Sequence, residues 1–382
     1  MNGKAMTKHD RYLAALRCEE PDRVPIVVRG VNPMFGEAGL PPSKHPSFQP
    51  LIDVVTEKTE WAYRWHPAEE NLLSAHPEAM VTVERKSCDQ EGFEEEVKTF
   101  TTPLGPLTSI EWVSLEGKPG MTKEYLIETL EDVDRFLSIP FEFQPPDPSG
   151  FFDLKKRMGA NGVLMASIGL DPIGHVTHWL GLETLAIWTL TEKDAVFRLL
   201  DEFYRRAQLL ITSLLAAQVG PVFATLGMEQ ATPPWLSTDD FRAYVTGYDQ
   251  RLWAPILEEG GVIHVHCHGN LRDVIPDFIS MGAGCLHPVE APPMGDIQLS
   301  EAKAMMAGRI CIEGNIQLDD LYTKDEDYIR EVVRTAVRDA ADRGGFVLCP
   351  TASPIPPVLE DKVLGNYLAL IEAGLEYGAI YT

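Results

Sequence analysis

Gly261-Val262-Ile263-His264-Val265-His266-Cys267-His268-Gly269-Asn270, followed by a helix-like run and then Gly284-Cys285-Leu286-His287-Pro288-Val289-Glu290, is the stretch whose reading decides the fold. In an extended chain successive side chains point to opposite faces, so His264, His266 and His268 share one face and Val265 and Cys267 the other. Burying an imidazole without a partner costs about 1–3 kcal/mol. Such a face is therefore expected to meet a metal, a substrate or a polar network. The bland alternative is one or two satisfied core histidines.

Outward from this stretch the chain repeats one rhythm, strand then helix. Val163-Leu164-Met165-Ala166-Ser167 is followed by helices through Trp188 and Asp194 to Gln218, Val222-Phe223-Ala224-Thr225-Leu226 by Thr238 to Leu257, and Val262 to His266 by Leu271 to Met281. Further units are Cys285-Leu286-His287 with Ser300 to Met306, Arg309 to Ile312 with Asp325 to Ala341, and Gly345 to Leu348 with Pro357 to Tyr377. Near the start, Val24-Pro25-Ile26-Val27-Val28-Arg29 is an apolar run that suits a strand buried on both faces. Alternating strands and helices imply a parallel α/β fold, and a closed (β/α)8 TIM-type barrel suits 382 residues better than an open sheet. No Pro/Gly/Ser-rich linker divides the chain, so residues 1–382 are read as one domain.

Before the barrel rhythm sets in, Thr7 to Leu16 has the pattern of an N-terminal amphipathic helix with Thr7 as N-cap and Asp10 at the capping-box position. Pro33 to Pro50 reads as a long loop. Between Met80 and Val113 short alternating pieces separated by Gly92 and by Pro103-Leu104-Gly105-Pro106 predict an antiparallel hairpin insertion.

Composition narrows the function classes. With 33 Lys+Arg against 57 Asp+Glu the formal charge is −24, which repels nucleic acid and anionic membrane surfaces. Six scattered cysteines without a CxxC pair suit a reducing compartment, and no apolar span or signal-peptide core is present, so a cytoplasmic protein is expected. No GxGxxG or P-loop follows a strand, which argues against nucleotide sites of those types.

In a barrel of this kind the site is built at the C-terminal ends of the strands. Those ends carry Arg29, Ser167 with Asp171, Glu229 and Gln230, His266 and His268, His287 and Glu290, Glu313, Asn315 and Gln317, and Thr351 and Ser353. Two histidines and a carboxylate form a sufficient first set of ligands for zinc provided one position stays open. The expected metal ligands are His266 and His268, with Glu229 favoured over Glu290 because Pro288 and Pro292-Pro293 direct Glu290 into a loop contact. Without a metal, the same imidazoles serve as acid and base. Arg29 either anchors an anionic group of the substrate or pairs structurally with an acid. Asn315, Gln317, Thr351, Ser353 and Glu290 are the remaining substrate contacts, and His268, Glu229 and Arg29 the catalytic candidates.

Asp22-Arg23-Val24-Pro25, the helix start Ser237 to Phe241, His266-Cys267-His268-Gly269, Gly314-Asn315-Ile316-Gln317 and Pro350-Thr351-Ala352-Ser353 together resemble the uroporphyrinogen decarboxylase superfamily, which includes the zinc-dependent methylcobamide:coenzyme M methyltransferases. The resemblance spans nearly the whole chain and implies a (β/α)8 barrel with the site in its mouth. The decarboxylase branch carries an "RQAGR" loop, and here the chain reads Arg29-Gly30-Val31-Asn32-Pro33, with one of its arginines. The methyltransferase branch holds zinc through the His and Cys of "HxCG" and a Cys in the final loop; His266 matches the first, His268 stands for the second, and Ala352 falls where the last would be. By resemblance, the leading expectation is methyl transfer between a small-molecule substrate and a corrinoid or thiol acceptor, with zinc, methylcobalamin or a corrinoid protein as partner, and a homodimer. The alternative is a cofactor-free decarboxylase or lyase acting on a smaller acid, with Arg29 holding a carboxylate and His268 supplying the proton. A non-enzymatic carrier is argued against by the ring of polar groups at the strand ends.

Overall fold

The structure is a computed structural model that describes residues 5–34, 45–67, 72, 80–115, 120–355 and 357–379. The loop expected from Pro33 to Pro50 falls largely outside the described residues. Among the described residues eleven strands follow one another: β1 (Trp61–Trp65), β2 (Val81–Ser87), β3 (Phe93–Phe100), β4 (Leu107–Ser114), β5 (Met121–Glu124), β6 (Gly162–Leu170), β7 (Val222–Leu226), β8 (Val262–His266), β9 (Cys285–His287), β10 (Cys311–Ile316) and β11 (Phe346–Pro350).

Seven of them form one parallel sheet in the order β1-β6-β7-β8-β9-β10-β11. The Val24 run closes it: Leu348 N–H donates to the Pro25 carbonyl (2.9 Å), Val27 N–H to the Leu348 carbonyl (2.9 Å), and Glu60 N–H, just before β1, to the Ile26 carbonyl (3.0 Å). Pro25 has no N–H to give, and the Ile26 N–H is taken by the buried Glu60 carboxylate (2.7 Å), so this segment bonds both neighbours without forming a regular ladder. The same carboxylate accepts from Arg11 (2.8 Å) and Arg23 (2.7 Å), and Arg11 also bonds Asp22. Asp22-Arg23-Val24-Pro25 is thus a clasp that fixes the first strand against β1.

β1 is absent from the sequence expectations. Trp-Ala-Tyr-Arg-Trp shows neither an apolar run nor a polar alternation, and most of the strand is only half-buried. The insertion is confirmed and is larger than a hairpin, a four-stranded antiparallel sheet in the order β2-β3-β4-β5. The Thr7 hydroxyl accepts the Asp10 N–H (3.1 Å), capping the helix Lys8–Leu16 as expected. That helix plugs the bottom of the barrel: its Tyr12, Ala15 and Leu16 pack with the inward-facing Val163, Met165, Val222, Ala224, Val262 and Val347. Apolar faces of the outer helices, among them Lys193–Ala216 and Asp361–Tyr377, cover the outward residues.

Candidate functional site in the barrel mouth

Alternation along each strand sends every second side chain into the barrel. Above the apolar floor the inward positions become polar, in two layers. The lower layer is centred on Glu313 of β10, which is fully buried. It accepts from Arg29 Nη2 (2.6 Å) and Nε (2.9 Å) on one oxygen and from the Tyr12 hydroxyl (2.7 Å) on the other, with His264 Nε2 at 3.2 Å. Although burial pushes a carboxyl up, Arg29 and His264 hold Glu313 well below the usual carboxylate range. Burial opposes charge on His264, yet Cys285 and Glu313 raise its pKa. Of the two roles weighed for Arg29, the ion pair with Glu313 is the one in the geometry.

The upper layer opens at the strand ends. His266 Nδ1 lies 2.9 Å from His287 Nδ1, and His268 Nδ1 lies 2.8 Å from the Glu290 carboxylate. The rings of His266 and His268 meet edge to face with centroids 4.8 Å apart, so the four side chains form one connected group. Burial, then the charges of Arg29, His268 and Arg64, push His266 down to about 2. Burial and Arg29 push His287 well below its ordinary value. Both imidazoles are neutral at pH 7, the form that ligates metals. Burial raises the Glu290 carboxyl, but His268 and Gln317 more than compensate and hold it below the ordinary value, so it is ionised.

The remaining expected residues gather around this group unevenly. Gln317 donates its amide to Glu290 (3.3 Å), and the Thr351 hydroxyl donates to Gln317 (3.1 Å) while accepting the Leu318 N–H (3.1 Å). Asn315 follows Glu313 on the inward face of β10. Ser353 is exposed, and its loop lies so close to Gly30 that a Cβ there would sit 2.4 Å from the Ser353 Cβ. Of the two carboxylates weighed as a third ligand, Glu290 contacts His268. Glu229, in the short helix Met228–Ala231, accepts the Gly227 N–H of its own loop (3.0 Å).

Among the described residues, two groups have donor atoms that all lie within 4.8 Å of one another, close enough to share a metal ion: His264, Cys285 and Glu313, and His287, Glu313 and Cys349. Neither contains the expected His266, His268 or Glu229. Both use the lower-layer carboxylate already bound by Arg29, and the second also takes His287 from the upper layer. Sequence reasoning missed the inward roles of Cys285, Cys349, Tyr12 and Arg64. Two-residue spacing from His287 and from Thr351 was a signal for the cysteines; nothing local marks Tyr12 or Arg64.

A parallel barrel whose strand ends converge on histidines, carboxylates and amides has the architecture of an α/β-barrel enzyme. The family model "Uroporphyrinogen decarboxylase (URO-D)" matches residues 165–364, over half of the chain, and the protein belongs to that family. Among solved structures it is similar to a methyltransferase from Methanosarcina mazei, at 17% identity over 97% of this chain and 99% of that one with a TM-score of 0.61, which supports the fold. A glycerophosphoryl diester phosphodiesterase from Parabacteroides distasonis ATCC 8503 is matched at 9% identity over 96% and 95% of the two chains, with a TM-score of 0.35 that carries no argument. No curated protein sequence matches the chain.

Proposed function

We propose that the protein is a metal-assisted methyltransferase acting on a small molecule in the barrel mouth, with methylcobalamin or a corrinoid protein on the other side of the transfer. The observation that carries this reading is the connected group of His266, His287, His268 and Glu290, joined by contacts of 2.9 and 2.8 Å. Two imidazoles and an ionised carboxylate are a donor set that zinc accepts, and Glu290 supplies the negative charge that Ala352 cannot. The two lower groups bring their donor atoms within 4.8 Å of one another, which this set does not, but a cation beside Glu313 would face the Arg29 guanidinium there.

His266, His268 and Glu290 would hold the metal, which when bound supplies a Lewis acid that keeps a thiol or hydroxyl acceptor deprotonated at neutral pH. The chain's own groups do the rest. His287 fixes the His266 ring through its Nδ1, and Gln317, itself held by Thr351, orients Glu290. Arg64 adds positive charge near His266. Because Arg29 is committed to Glu313, the carboxylate anchor that a decarboxylase of this family would need is weakened, and this favours transfer over decarboxylation.

Elemental analysis of purified protein, paired with turnover of methylcobalamin and small thiols, tests the reading. About one zinc per chain, lost in His266→Ala, His268→Ala and Glu290→Gln together with turnover, is the expected result. A metal-free wild-type protein, or metal that all three variants retain, would sink it.

A further inference from the structure

A cavity of about 260 Å³ opens where the antiparallel insertion meets the barrel, between the segment Thr122–Tyr125, the end of β6, the helix Pro172–Leu180 and the loop after β7. Its polar wall is made of Thr122, Tyr125, Thr177, His178, Glu229 and Gln230. The Thr232 hydroxyl donates to the Glu229 carbonyl (2.8 Å) and lies 3.4 Å from where a Cβ on Gly269 would be, so the loop of Glu229 packs against the loop that follows His268.

Two of its walls meet in close backbone contact. A Cβ on Gly174 would lie 2.8 Å from the Gly227 Cα and 2.7 Å from an Asp171 oxygen, so any larger residue would push these two segments apart. Gly181, at φ +77°, lies so close to the Tyr125 ring that a Cβ would fall 2.5 Å from it, which fixes the ring at the cavity edge.

Charge is one-sided in this cavity. Among the described residues Glu229 is the one acidic side chain that lines it, and no lysine or arginine does. Desolvation lowers the His178 pKa, so the imidazole is neutral at pH 7, and Lys98 nearby is paired with Glu111 (2.8 Å). Behind the glycine wall burial raises the carboxyls of Asp171 and Asp249, so they hold their protons and leave Glu229 as the carboxylate this cavity offers. Among the described residues no lysine or arginine forms an ion pair with any of the three. A carboxylate in a half-enclosed cavity without a counter-charge draws a cation, and the net charge of −24 raises the local cation concentration further. The volume is far larger than a bare metal ion needs and suits an ion carrying several carbons.

We propose that this cavity binds a small organic ammonium ion, with Glu229 as its counter-ion and Tyr125 beside it. The proposal goes beyond the transfer reading and does not depend on it, since neither the cavity nor its charge involves His266, His268 or Glu290.

Calorimetric titration of the full chain with tetramethylammonium chloride tests it, with tert-butyl alcohol as a neutral probe of similar shape and magnesium chloride as a plain cation. Expected is saturable binding of tetramethylammonium that falls at least about tenfold in Glu229→Gln, a loss of about 1.4 kcal/mol, with no binding of the alcohol. Glu229→Asp, which keeps the charge, should retain more affinity than Glu229→Gln. Glu290→Gln should bind the ammonium as wild type does even where it loses metal, which separates this proposal from the transfer reading. Glutamine at 229 can still accept the Gly227 N–H, so the loop should keep its shape; an unchanged melting temperature checks this. Absence of ammonium binding, equal binding of the alcohol, affinity unchanged in Glu229→Gln, or binding of magnesium in place of the ammonium each overturns the proposal. So does loss of the metal from Glu229→Gln, which would assign Glu229 to the metal.

Discussion

Two polar layers sit one above the other on the same inward-facing strands, and they are built on opposite principles. In the lower one every charge is matched: Glu313 has Arg29 and Tyr12 on its two oxygens, and His264 leans on the same group. In the upper one two imidazoles are kept neutral, one carboxylate is kept ionised, and the half-exposed His268 brings the network to the surface. Closure of a network favours a rigid barrel; an upper layer with open valences favours chemistry. The comparison teaches that polarity inside a barrel does not by itself locate the site, whereas a polar network that runs out to a half-exposed side chain does.

If the lower layer is structural, removing one member should cost the most stability. Glu313→Ala leaves Arg29 buried without its counter-charge and should lose about 3–5 kcal/mol in urea unfolding, while the double variant Arg29→Met, Glu313→Leu should recover most of it. A loss below about 1 kcal/mol would show that water reaches this layer and would erase the distinction. Tyr12→Phe removes one donor to a charged acceptor and should cost about 1.5–3 kcal/mol with no change in substrate affinity.

A third buried group extends the comparison to pH. Asp171 and Asp249 are buried in the wall behind the glycines; burial, and for Asp171 the charge of Asp249, raise both carboxyls, with Asp249 pushed up to about 8 from 3.8. The folded state therefore holds protons that the unfolded chain has released, so stability is present below about pH 4 and is lost as pH rises toward about 8. The slope for one proton is at most about 1.4 kcal/mol per pH unit, and Asp249→Asn should flatten it, as read from unfolding midpoints between pH 6 and 8. Glu290 has the opposite sign: its depressed pKa contributes stability above its unfolded value that is lost on acidification. An unaltered pH profile in Asp249→Asn would mean that the pair is not proton-linked to folding.

The upper layer should be least sensitive in stability and most sensitive in function. Glu290→Gln conserves shape and most hydrogen bonds, so unfolding should shift by less than about 1 kcal/mol while turnover falls about 10–100-fold. A variant that unfolds readily but turns over normally would exchange the roles of the two layers.

Much of this was legible locally. Strand-helix alternation named the barrel, the Thr7 cap and the antiparallel insertion followed from short-range patterns, and the spacing of His264 and His266 placed them on one inward face. β1 and β5 were not legible, because an aromatic strand with half-buried faces and a four-residue edge strand lack the periodicity that burial imposes. Nor could the chain order say which carboxylate meets which base. Arg29 and Glu313 are 284 residues apart and meet only when the first strand closes against β11. Glu290, not Glu229, reaches His268, through the course of the loop after β9. Local pattern is set by which face of an element is buried, and that is written within a few residues; partner choice is set by register and closure, which exist only once the barrel has formed.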